Sequence, residues 1–304
     1  MGLRVGARLP GMAKHREDLT DQVVIVTGAN SGLGKETAVA LAAMGATVVM
    51  TARSRTKGEA ARSEVVERSG SDRVVLGDLD LASFASIRAF AAWFLDEYDR
   101  LDVLVANAGL MVDSRQETAD GFELMFGTNH LGHFLLTDLL RQRLVESAPS
   151  RVVVLSSMAH RWALRGLDRD DLQGTVRFGG GRNYGLSKLA NAQFAFELAR
   201  QLRDDGVLVN AVHPGSIHSG FAGDGDTGLL GWFMATFGRY TLRSPKGGAK
   251  TQVLLASSTK PRIVGRTGSY WSHGRRWPAS RHARNADEAR WLWEESVRLV
   301  SEVP

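Results

Sequence analysis

From Gln22 onward, short uninterrupted apolar runs rich in β-branched residues alternate with longer stretches whose apolar positions recur every three and four residues. An apolar run of roughly four to eight residues suits a strand buried on both faces, and the longer period suits a helix with one buried stripe. Strands are predicted over Gln22–Thr27, Thr47–Thr51, Arg73–Leu76, Val103–Ala106, Arg151–Ser156 and Val207–Val212. Helices are predicted over Lys35–Met44, ending at Gly45, and over Lys57–Arg68, Leu81–Tyr98, Phe122–Leu144 and Tyr184–Leu202. Ser244–Pro245 has the N-cap and first-turn residues of a further helix start.

This βαβαβ rhythm predicts an α/β fold with a single Rossmann-like, doubly wound parallel sheet and helices on both faces. Right-handed crossovers then place ligands beyond the carboxyl ends of the strands. With no internal repeat or dividing linker, residues 21–304 read as one domain and residues 1–20 as a loose basic arm. Gly179–Gly180–Gly181 reads as flexible punctuation ahead of the Tyr184 helix. Residues 216–245 read as a substrate loop, in which Trp232, Phe233, Met234 and Phe237 form either an apolar flap or the packed face of a helix.

Composition narrows the function. With 43% hydrophobic and 23% charged residues, a chain of 304 residues buries a core without disulfides or metal. It has no cysteine, which excludes a thiolate nucleophile and Cys-ligated metal and fits a reducing compartment. The net charge of +5 is dispersed, and the densest basic stretch, Arg275–Arg276 to Arg284, is followed by Asp287 and Glu288. That pattern reads as solvated surface and excludes a nucleic-acid stripe. Arg4, Arg8, Lys14 and Arg16 stand near the N-terminus without an apolar signal core. The longest apolar stretch, Ala38–Ala52, falls short of the ~20 residues of a membrane span. These features predict a soluble, cytoplasmic protein.

The candidate chemistry lies at strand ends. Gly28, Asn30, Ser31, Gly32, Leu33 and Gly34 sit between the first strand and the first helix. Glycines there let the backbone approach a pyrophosphate, whose charge free N–H groups at a helix N-terminus stabilise. At the end of the second strand stand Arg53 and Arg55 with no carboxylate. An acid at that place hydrogen-bonds a ribose 2′-hydroxyl, whereas Arg accommodates a 2′-phosphate, so NADP(H) is predicted over NAD(H). Tyr184 and Lys188 are one helical turn apart on one face. A free phenol titrates at ~10, and a neighbouring cation favours its ionised form.

With Asn107–Ala108–Gly109 and Pro214–Gly215 following later strands, the Gly-x-x-x-Gly-x-Gly and Tyr-x-x-x-Lys spacings resemble the short-chain dehydrogenase/reductase family from about Val23 to Arg298. The resemblance implies that Tyr184 exchanges a proton with a carbonyl or alcohol substrate while hydride moves to or from nicotinamide. Lys188 would tune Tyr184 and bond the nicotinamide ribose. Ser157 would hold the substrate oxygen, with Ser156 as the structural alternative. Asn129 would support a water chain to Lys188, with helix bending by a buried polar residue as its other reading. Asp80, beside Leu81, would contact adenine, with Asp78 as a rival; Pro214, Gly215 and Ile217 would close the nicotinamide pocket. Pairing through the Tyr184 helix would give a homodimer or homotetramer.

Thr118–Leu124, Asn129–Thr137, Ser187–Asn191 and Leu292–Glu294 resemble the retinol dehydrogenase and WW-domain oxidoreductase branch, without its frequent membrane anchor or any WW domain. The light-dependent protochlorophyllide reductases share the Asn129–His133 phrase, but their cysteines are absent. His130 and His133 lack further convergent metal ligands and read as packing or supporting residues. The competing function is a non-catalytic NADP(H)-binding regulator on the same fold, which would have no need to keep Ser157, Tyr184 and Lys188.

Overall fold

Strands that are apolar at consecutive positions need cover on both faces. The computed structural model, which describes residues 17–215 and 244–303, supplies it. Strands β1 (Val23–Val26), β2 (Thr47–Ala52), β3 (Val74–Asp78), β4 (Val103–Ala106), β5 (Ser150–Leu155), β6 (Val207–His213) and β7 (Ser269–Ser272) run parallel, and β8 (Arg275–Arg276) pairs antiparallel to β7. The order β3-β2-β1-β4-β5-β6-β7-β8 reverses its direction of winding between β1 and β4. That reversal leaves a crevice beyond the carboxyl ends of these two strands.

One face of the sheet is covered by α3 (Phe84–Glu97), α4 (Leu124–Phe126), α5 (Gly132–Leu139), α6 (Arg141–Glu146), α7 (Gly180–Gln201) and α10 (Ala286–Ser301). Ile25, Leu104, Val152 and Val209 meet Phe94, Phe134, Leu189 and Leu292 there. The other face carries α1 (Gly32–Ala42), α2 (Arg55–Ser69), α8 (Pro245–Ser257) and α9 (Pro261–Val264), where Val24, Val26 and Val105 meet Ala38, Leu41, Val65 and Leu255. Successive strand residues therefore feed alternate cores, as the two-residue period of a strand requires. The expected doubly wound α/β fold is the one observed.

Buried Asp102 ties the amino ends of three strands together. Its Oδ2 accepts the Val23 N–H at 2.8 Å, its own N–H donates to the Val23 carbonyl, and its carbonyl accepts the Arg151 N–H. Arg100 closes a fork on the carboxylate, from Nε at 2.8 Å and Nη2 at 2.6 Å.

Four expectations change. The helix expected over Phe122–Leu144 is broken: α4 passes into a π turn at Gly127–Leu131, then α5, and a further break at Leu140 precedes α6. Asn129 in that turn is fastened to the Leu110 backbone, donating from Nδ2 to its carbonyl and accepting its N–H at Oδ1. A polar anchor of this kind distorts a helix without disturbing its apolar stripe. The Gly179–Gly181 run is the start of α7 itself, with Gly179 as its N-cap. A Cβ on Gly180 would lie 2.7 Å from the Val112 carbonyl oxygen, so the glycine serves close approach.

Residues 17–20, expected within the basic arm, pack against the domain. Glu17 accepts from Thr259, and buried Leu19 donates its N–H to the Met44 carbonyl. Finally, α7 has no free face for the expected pairing, because residues 185–199 are all buried within this chain. The α10 residue Trp293 stacks on Phe194 of α7 at 6.0 Å and meets Phe134 edge-on at 4.8 Å. Ile217 and the Trp232–Phe237 cluster lie outside the described residues.

Replacing Asp102 by Ala leaves the buried Val23 N–H without an acceptor and should lower unfolding free energy by about 2–3 kcal/mol. Urea unfolding reads this as an earlier midpoint at unchanged slope; a loss below about 0.5 kcal/mol would remove the clamp role.

Candidate active site

The loop between β1 and α1 is held open for a ligand by backbone geometry. Gly28 has φ of +62°, a left-handed conformation glycine adopts without strain. Gly34 cannot carry a side chain: its Cβ would stand 2.4 Å from the Gly28 carbonyl oxygen. Ser31 is the N-cap of α1, yet its side chain makes no capping bond, and no acid occupies the first turn. The helix therefore presents uncapped N–H groups and an uncompensated positive dipole end, an arrangement suited to pyrophosphate. Asn30 and Leu33 are half-buried beside it.

β4 delivers Asn107, Ala108 and Gly109 against this loop. Thr27 Oγ1 accepts the N–H groups of Asn107 at 2.8 Å and Ala108 at 2.9 Å. Asn107 Nδ2 donates to the Thr27 carbonyl, and Asn107 Oδ1 accepts from Gln252 Nε2 at 3.0 Å. Gln252 lies on α8 and is wholly buried. Neither Thr27 nor Gln252 was among the expected site residues. Thr27 stands directly before the first loop glycine, a local signal; Gln252 has none, since only the fold brings α8 to β4.

At the end of β2, Arg53 is exposed and makes no ion pair among the described residues. Arg55 is committed elsewhere, at 2.6 Å to Asp78 and 3.6 Å to Glu59. The rival Asp78 is thus held by Arg55. Asp80 makes a turn, its Oδ1 accepting the Ala82 N–H at 2.9 Å, and Leu81 is buried next to it. Pro214 and Gly215 follow β6 directly, Gly215 with φ of +91°.

The expected catalytic residues converge at the carboxyl ends of β4, β5 and β6. Ser157 follows β5, and its side chain bonds that of Tyr184. Burial pushes the Tyr184 phenol up to about 12, opposed by the Ser157 bond. Lys188, 2% exposed, has Nζ 5.6 Å from the centre of the Tyr184 ring and donates to the Leu155 carbonyl at 3.3 Å. Burial lowers its ammonium to about 8. Ser156 instead points into the fold and donates to the Lys188 carbonyl at 2.7 Å, the structural role. Asn129 Nδ2 reaches Ser187 Oγ at 3.0 Å, which donates in turn to the Tyr184 carbonyl. Gly109 fills the corner between these groups, where a Cβ would stand 3.0 Å from Lys188 Nζ and 3.2 Å from Asn129 Oδ1.

The two histidines serve different neighbours. His130 Nε2 donates to Ser296 Oγ of α10 at 2.9 Å, since that hydroxyl already gives its proton to the Leu292 carbonyl. His133 Nδ1 lies 3.0 Å from the Asn129 carbonyl, which can only accept, so Nδ1 carries the proton. Its Nε2 then accepts from Thr27 Oγ1 at 2.9 Å. Burial lowers both rings, to about 3 for His130 and about 4 for His133, which keeps them neutral. Among the described residues no group of three or more His, Asp or Glu is placed to hold a metal, and no helix is long and apolar enough to cross a membrane.

Comparison with known proteins places the chain in a family. Residues 22–168 match the short chain dehydrogenase family. Human retinol dehydrogenase 11 is 41% identical over 290 residues, 95% of this chain and 89% of that protein. Mouse retinol dehydrogenase 12 is 43% identical over 293 residues, covering 95% and 90%. Among solved structures, an uncharacterized protein from Mycobacterium Paratuberculosis superposes with a TM-score of 0.73 at 36% identity, over 94% of this chain and 95% of that one. The Pseudomonas aeruginosa RhlG/NADP active-site complex gives 0.65 at 25% identity, over 84% and 96%.

The lowered Lys188 has a measurable consequence. Its ammonium titrates at about 8 in the folded chain and at ~10.4 when unfolded. Between those values the unfolded chain binds more protons, so this residue's contribution to stability rises with pH across that window. Lys188→Met removes the rise, so the Met variant's stability advantage should shrink as pH goes from about 7.5 to 10. Urea unfolding of both proteins at several pH values reads the gap; a gap independent of pH would contradict the buried ammonium.

Proposed function

Because this chain belongs to the short-chain dehydrogenase family, and relatives at this similarity include retinol dehydrogenases, we propose that it interconverts an apolar alcohol and its carbonyl using NADP(H). The observation that carries this reading is the Tyr184 phenol held against Ser157, with the buried Lys188 ammonium beside its ring.

The glycine loop fits a dinucleotide: a cradle closed to side chains, next to a helix end with free N–H groups. Arg53, without an ionic partner among the described residues, supports the 2′-phosphate form, as does the NADP held by RhlG. When bound, the dinucleotide supplies or removes hydride at the carbon bearing the substrate oxygen. Ser157 hydrogen-bonds and orients that oxygen. In the reducing direction Tyr184 gives it the phenolic proton, completing the hydroxyl; in oxidation Tyr184 takes that proton back. Burial alone opposes the phenolate, so a positive charge is needed to stabilise it, and Lys188 supplies one. Asn129 holds Leu110 and Ser187, and through them the corner where Gly109, Lys188 and Tyr184 meet. The names of the relatives support an apolar substrate of the retinoid class.

Tyr184→Phe should abolish NADPH-dependent reduction of a retinaldehyde or aliphatic aldehyde panel while NADPH still binds, read by quenching of intrinsic fluorescence. Unchanged turnover would falsify the assigned proton donor. Arg53→Ala should raise the KM for NADPH about tenfold or more, the loss of one charge-assisted contact, and leave NADH within about twofold. A wild-type preference for NADH would overturn the use of Arg53.

A further inference from the structure

We propose that His133 is a positioning residue, whose neutral imidazole couples the cofactor side of the site to its proton-transfer side. The inference rests on the dehydrogenase reading above and concerns a residue that touches neither the phenol nor the ammonium in that reading.

The two sides meet along the Asn107–Leu110 segment but hang on different supports, Thr27 for Asn107 and Ala108 and Asn129 for Leu110. Asn107 and Ala108, the wall facing the glycine loop, give both backbone N–H groups to Thr27 Oγ1. That hydroxyl has one proton, and 106 residues further on His133 Nε2 takes it at 2.9 Å, against 3.4 Å to the Val105 carbonyl, which already accepts the Thr27 N–H. The opposite ring nitrogen donates to the Asn129 carbonyl at 3.0 Å. Asn129 belongs to the π turn, where the helix has left its regular ladder, and its side chain grips Leu110 and Ser187. The imidazole is a rigid spacer whose two nitrogens serve opposite jobs at once, and it is 1% exposed, so water cannot replace either bond. Its ring is bonded to both Thr27 and Asn129, the roots of the two sides.

The bond pattern assigns a single tautomer, proton on Nδ1. A doubly protonated ring would aim a second N–H at the Thr27 hydroxyl, which already accepts two amides, and would add a cation near Lys188. The other tautomer would face a carbonyl with a lone pair. Only the neutral Nδ1–H form satisfies every partner.

Three measurements test this. ¹⁵N NMR of histidine-labelled, cofactor-free protein, assigned by difference from His133→Gln, should show a neutral Nδ1–H ring between about pH 5.5 and 8.5; an imidazolium or Nε2–H ring overturns the proposal. His133→Leu should lower kcat by about tenfold to a hundredfold and raise the hydride isotope effect with deuterated NADPH, while NADPH affinity stays within about threefold. His133→Gln, which keeps one donor and one acceptor, should recover most of the loss. A Leu variant that melts earlier but turns over at the wild-type rate, or a Gln variant as slow as Leu, shows a packing role and overturns it. If the Leu variant does not fold, His133→Asn, too short to span both partners, is expected to show the same drop in kcat. The dehydrogenase reading fails separately, as a wild type without turnover, which leaves the NMR result to be read on its own.

Discussion

The Thr27 hydroxyl sits where the sheet changes its direction of winding, and the site is built outward from it. It receives the N–H groups of Asn107 and Ala108 just past the end of β4, while its own backbone continues β1 into the glycine loop. Two parallel strands that splay at their carboxyl ends would leave these buried amides unsatisfied, at a cost of about 1–3 kcal/mol each. One hydroxyl removes that cost and sets the distance between the loop that faces a pyrophosphate and the segment that faces Lys188. Asp102 does the equivalent work at the amino ends, so β1 and β4 are pinned at both ends of the sheet.

Burial then decides the electrostatics. Tyr184 and Lys188 are both pushed toward their neutral forms, the phenol up and the ammonium down, because desolvation disfavours the charged form of each. A tyrosine at a helix surface would titrate near ~10 and exchange protons with water. Here desolvation raises the phenol above that value, and a nearby positive charge has correspondingly more influence on it in a poorly hydrated site. The cover on α7 comes from α10, whose Trp293 packs across Phe194 and Phe134. The C-terminal helix of the same chain thus fills the surface that the family resemblance assigned to a second subunit.

Polar side chains at irregular backbone supply the remaining positioning. The π turn at Gly127–Leu131 exists where Asn129 is tied to Leu110 and Ser187, and buried Glu123 caps the turn before it, accepting the N–H groups of Met125 and Phe126. A straight helix there would carry the Asn129 side chain to another height relative to Lys188 and Gly109. The irregularity is local, but it serves Leu110 and Ser187 from two distant segments.

Much of this was legible in the chain's own pattern. The runs at Val23–Val26, Val103–Ala106 and Val207–His213 declared buried strands, and a parallel sheet followed from the helices between them. Glycines at 28, 32 and 34 and the four-residue step from Tyr184 to Lys188 marked the candidate site because both are local: a loop needs its glycines in sequence, and a helix turn places its own partners. Partnerships across the fold were not local. No period in the sequence connects His133 to Thr27, Gln252 to Asn107 or Trp293 to Phe194, because those contacts depend on strand order and on which helix covers which face. The apolar stripe of residues 122–144 could not show a π turn, since the shift that makes it leaves the stripe buried. Periodicity records how much of each segment is hidden; the tertiary structure alone decides what hides it, and so which buried polar atoms meet.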